Sequence, residues 1–120
     1  MEQSRRELIA LRDHGDTSLP IWDSLIEEDA LLGDRKEMER EAADLLQKTQ
    51  RDLWRAPISE EVVARAYAIL GDADRAIPHL GHLLSVPYRH SLTRAYLRLD
   101  LVWDKIRNDP RFEKLANAKP

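Results

Sequence analysis

The chain has 120 residues, 42% hydrophobic and 34% charged, which is enough for one core, too little for two ordinary domains, and unlike a disordered tail. It has no cysteine and no long apolar run, which excludes disulfides, thiolate metal sites, a cysteine nucleophile and a membrane-spanning helix. The net charge of −3 is uneven: residues 1–87 carry 11 Lys/Arg against 18 Asp/Glu, a net of −7, whereas 88–120 carry 8 against 4, a net of +4.

Apolar residues recur at helical spacing and no period-two run of β-branched residues appears, so the expected fold class is all-α. A first helix is predicted over Gln3 to Arg12, with Leu8, Ile9 and Leu11 on one side, ending before the loop His14 to Ser18. Pro20 suits the first turn of a second helix that buries Ile21, Trp22, Leu25, Ile26, Leu31 and Leu32 and stops at Gly33. Asp34 and Glu37 have the spacing of a capping box, opening a third helix that runs to about Thr49 and buries Met38, Ala42, Leu45 and Leu46.

After Leu53, Trp54 and Pro57, Ser59 is the predicted cap of a fourth helix carrying Val62, Val63, Ala66, Tyr67 and Leu70, closed by Gly71. Asp72 or Asp74 opens a fifth, and the later residue is favoured because it places Pro78 nearer the first turn. Beyond Pro87 the pieces are shorter. Ser91 caps a helix of Leu92 to Leu99, Asp100 starts a turn holding Trp103 and Ile106, and Asp109-Pro110 reads as N-cap and N1 of a last helix with Phe112 and Leu115.

Gly33-Asp34 and Gly71-Asp72 each divide a helix pair and lie 38 residues apart. Around these turns the chain resembles the tetratricopeptide-repeat family. Trp22, Leu25 and Gly33 match the opening half of its motif in one unit, and Ala64, Tyr67, Gly71 and Ala76 match it in the other, with Leu80 and Leu83 at packing positions. Ile26, Asp29 and Glu60 depart from it, and Pro87 falls one residue early. The tail, Leu97-Arg98-Leu99-Asp100, Trp103-Asp104 and Asp109-Pro110-Arg111-Phe112, is similar to the end of such repeats in multidomain bacterial signalling proteins, with Leu101 and Lys105 replacing prolines.

The resemblance implies stacked antiparallel hairpins: an N-terminal helix in 1–18, repeats at 19–50 and 57–87, and capping helices in 88–120. It also implies a bacterial chain, either the end of a larger protein or a stand-alone relative, and a non-catalytic scaffold for a peptide or helix of another protein; the lack of cysteine fits a cytoplasmic location. The first helix of each repeat would line the concave surface, through Pro20, Asp23, Glu27, Ala30 and Leu31, then Ile58, Glu61, Arg65, Ala68 and Ile69. The partner-binding residues expected from this are Asp23, Glu27, Leu31, Glu61, Arg65, Ala68 and Ile69.

Their acidic and apolar mixture suits a basic or amphipathic segment, although the same charges also describe an ordinary solvated face. The Lys and Asn clamp of chaperone-binding relatives is missing. The charge asymmetry would steer an acidic partner to the C-terminal end or favour contact between copies, or simply mark two solvated faces. A second chain, or the first helix, is expected to cover the open end of so short a stack.

Other chemistry is weaker. His79 and His82 are three residues apart, with His90 following, but no acidic neighbour completes a ligand spacing, so they read as surface histidines. Asp104 with Asp109, or Glu27 with Glu28, has no sign of the pocket that acid–base work needs. No catalytic residue, cofactor or metal is assigned. The rival function is nucleic-acid binding through Arg89, Arg94, Arg98, Lys105, Arg107, Arg111 and Lys114, interleaved with Tyr88, Tyr96 and Trp103.

Overall fold

The computed structural model describes residues 2–13, 19–86 and 92–117. These form helices α1 (Glu2–Asp13), α2 (Leu19–Leu31), α3 (Arg35–Thr49), α4 (Ala56–Leu70), α5 (Ala73–Leu83), α6 (Arg94–Leu99) and α7 (Pro110–Asn117), with a 3-10 turn at Leu101–Trp103. Among the described residues there is no strand, as the helical periodicity requires. The expected loop 14–18, the cap at Ser91, and Pro87, Tyr88, Arg89 and His90 lie outside the described residues, as do the side chains of Leu8, Leu11, Pro20 and Ile21.

The two glycine turns are built alike. Gly33 and Gly71 have φ of 78° and 80°, the left-handed region that a Cβ disfavours. Each glycine N–H donates three residues back, to Ala30 and Ala68, and each following aspartate N–H donates five back, to Asp29 and Tyr67. Asp34 and Asp72 then adopt nearly the same backbone conformation and cap the next helix, accepting from the N–H groups of Glu37 and Arg75. The two hairpins α2–α3 and α4–α5 thus turn by one mechanism. Their turns also meet, because Arg35 pairs with Asp72, while the Tyr67 hydroxyl donates to Glu39 at 2.9 Å.

Several expected boundaries shift. Asp72, not Asp74, caps α5, which leaves Pro78 inside the helix. Pro78 is exposed, so the Asp74 carbonyl that loses its partner is on the wet side. Helix α4 begins at Ala56 rather than after Ser59, because the Asp52 carboxylate gathers the Trp54 and Arg55 N–H groups and Pro57 sits in the first turn. Ser59 is instead fully buried, its hydroxyl 3.0 Å from that of Thr49 and joining α4 to α3. The capping box is half made: Asp34 accepts from Glu37, but the Glu37 carboxylate turns to Arg40, since the Asp34 N–H is already used.

Helix α4 lies at the centre, packed on α2, α3, α5 and the 3-10 turn, and α2 also holds α1 and α3. Leu25, Ile26, Met38, Leu45, Leu80, Leu83 and Leu97 are fully buried, whereas Leu31 and Leu32, expected inside, are 51% and 42% exposed. They follow the last inward turn of α2, where the chain is already bending at Gly33. At the other end Trp103 is sealed against Phe112, ring centroids 6.2 Å apart. Arg107 ties this tail together, donating to the carbonyls of Leu97 (2.9 Å), Arg98 (2.5 Å) and Asp100 (2.6 Å) that α6 leaves open. The molecule measures 47 × 29 × 20 Å, longer than a sphere of its mass.

Burial raises the Tyr67 phenol to about 12, with the hydrogen bond to the Glu39 carboxylate acting in the same direction. The folded state therefore holds this proton more tightly than an unfolded chain, whose tyrosine ionises near 10. Its contribution to stability is whole below pH 10 and is lost as the pH rises towards 12. Absorbance titration of the phenolates should show one late-titrating tyrosine in the native protein, and Tyr67→Phe should remove that step and flatten the alkaline fall in stability.

Candidate functional site

The exposed side chains of α2 and α4 make one candidate surface. Asp23 is held by Arg55 (2.6 Å), and Arg65 reaches Asp100 at 3.1 Å. Burial pushes the Asp100 carboxyl up, but the Val102 N–H and Arg65 outweigh it and hold the group below the usual carboxylate range. Glu27 and Leu31 are exposed, with Glu28 and Ser24, around a shallow depression of about 240 Å³. Leu31 also borders a second depression of similar size with Ile69, Leu101 and Val102, rimmed by Asp104 and Lys105. Glu61 and Arg65 line a third, with Leu92, Tyr96 and Trp103.

Six of the seven expected contact residues therefore reach a surface, and Ala68 does not. It is fully buried, as is nearly all of Ala30, because small side chains on α4 and α2 let neighbouring helices approach closely. The tail adds Leu101, 78% exposed, to the same apolar strip. No signal within α2 or α4 marks that contribution, which arises when the 3-10 turn packs on α4.

A second surface was not legible at all. α3, the start of α4 and α5 border an open pocket of about 580 Å³ whose walls include Ala43, Leu46, Ala56, Pro57 and Val86. Glu60 stands in its wall and bonds both histidines of α5, Oε2 to His79 Nδ1 at 2.8 Å and Oε1 to His82 Nδ1 at 2.6 Å. The acidic neighbour that the local spacing of the histidines lacks thus comes from another helix, 19 residues from His79. Among the described residues no group of three or more such side chains is arranged to hold a metal ion.

Three of the four carboxylates set aside as acid–base pairs have other partners. Asp104 pairs with Arg107, and Asp109 accepts from Arg111 at the start of α7. Glu28 accepts from Ser4. Three of the seven cations of the basic tail are engaged within the fold: Arg98 donates to the Ala116 carbonyl, Arg107 to three carbonyls, and Arg111 to Asp74 and Asp109. Trp103, offered for base stacking, is fully buried. No helix among the described residues is long and apolar enough to cross a membrane.

No protein-family model, curated protein or solved structure matches the chain.

Proposed function

We propose that the chain is a tetratricopeptide-like, non-catalytic interaction module that binds an amphipathic segment of another protein along α2 and α4. The observation that carries this reading is the apolar strip of exposed Leu31 and Leu101 with half-buried Ile69 between them, and acidic Glu27 beside Leu31. Contiguous exposed apolar side chains with a polar rim mark contact surfaces, and an acidic border selects a segment with basic flanks. Support for the repeat reading comes from the matched turns at Gly33 and Gly71, the Arg35–Asp72 link between them, and α2 packed on α4. A curved scaffold of this kind needs both hairpins to stack in the same sense.

Peptide display against the whole protein should enrich segments with apolar anchors at helical spacing and basic flanks. Leu31→Arg should weaken the selected peptides about 30-fold in calorimetry, the loss of one central anchor of roughly 2 kcal/mol. Equal binding by this variant, with its fold intact by circular dichroism, would move the site elsewhere.

A further inference from the structure

Between α3 and α4 lie the two most exposed large apolar side chains among the described residues, Leu53 at 86% and Trp54 at 79%. The tip is braced: Asp52 accepts from the Trp54 and Arg55 N–H groups, and its carbonyl takes the N–H groups of Arg55 and Ala56. An exposed tryptophan on a braced backbone is the residue type that anchors protein contacts. The apolar pocket of about 580 Å³ adjoins it, since Gln50 on one side of the tip and Ala56 on the other both line the pocket. We propose that the protein forms a two-fold dimer in which the Leu53–Trp54 tip of each copy enters the α3–α5 pocket of the other.

Plug and socket sit side by side on one face, which is what an isologous contact requires, because one rotation makes both insertions at once. The open pocket, at about 580 Å³, has room for a group the size of an indole. A tip of Trp and Leu presents roughly 300 Å², so two tips and the walls they cover remove about 1,200 Å² from water, the lower end of stable interfaces. The polar chemistry also matches. A buried indole N–H needs an acceptor, and the Glu60 carboxylate in the pocket wall has lone pairs beyond the two that meet His79 and His82. Exposed Arg51 beside the tip supplies a cation for the same carboxylate.

Sedimentation equilibrium of the full chain should show a monomer–dimer equilibrium in the micromolar range. Trp54→Ser should weaken it at least tenfold, and Ala43→Arg, which places a long charged side chain over the pocket from the exposed face of α3, should do the same. Mixing the two variants should restore partial association, since one intact plug still meets one intact socket. Trp22 and Trp103 are buried, so a blue shift of tryptophan emission with concentration reports Trp54. A monomer at every concentration, a dimer indifferent to either substitution, or no recovery on mixing would overturn the proposal.

Discussion

Trp103→Ala should destabilise the protein by about 4 kcal/mol, the cost of removing a large aromatic side chain from a packed interior and leaving the cavity. Trp103 is wholly buried, belongs to the 3-10 turn that packs on α4, and meets Phe112 of α7. The loss should therefore extend beyond one site, loosening α6 and α7 together. Urea unfolding would give the magnitude, and amide exchange would show protection falling in 94–117 and along the face of α4. Trp103→Phe, which retains most of the apolar contact, should cost less than half as much. A change under 1 kcal/mol for the alanine variant, with exchange in α4 untouched, would mean that the tail is not part of the central core.

The second large effect is expected at Arg5. Its guanidinium in α1 pairs with Asp29 of α2, a residue with no exposed surface. Arg5→Ala strands that carboxylate, and breaking a buried pair from one side costs roughly 3–5 kcal/mol. Arg5 retains some solvent contact, which places the expectation at the lower end, about 3 kcal/mol. The double variant Arg5→Met with Asp29→Leu should recover most of the loss, because apolar replacement removes the need for the charge. Thermal unfolding of the unsubstituted protein, Arg5→Met, Asp29→Leu and the double variant, the four corners of the cycle, measures this. Additive losses in the cycle would show that the two groups do not act as a pair.

Much of the local structure is legible before any packing is known. Gly33, Gly71, Asp34, Asp100 and the Asp109-Pro110 pair act through hydrogen bonds that span no more than five residues, so a short window contains the whole interaction. Ser59 and Asp74 fail for the opposite reason. Both are good caps taken alone, but Asp52 and Asp72 reach the same helices first, and Ser59 is more useful bonded to Thr49 across α3 and α4. Pro78 misled in the same way, since an exposed helix face tolerates the missing bond that a buried one would not.

The candidate surfaces divide along the same line. Glu27, Leu31 and Ile69, contact positions that the repeat resemblance implies, line surface depressions, whereas Ala68, implied in the same way, is buried. The departure of Asp29 from the repeat pattern has no explanation in its own helix, and Arg5 of α1 provides one. Glu60 meets His79 and His82, and Arg107 meets the carbonyls of α6, across stretches of chain that no periodicity connects.

Order of helices, the two glycine turns and the apolar stripe of each helix are properties of neighbouring residues, and the amino-acid sequence alone dictates them because turn conformation and helical period act over a few positions. Which carboxylate meets which cation, which leucine stays wet and where pockets open were decided by the folded chain. Those outcomes depend on how α1 to α7 pack, and packing is set by the sum of many contacts between residues far apart in the sequence.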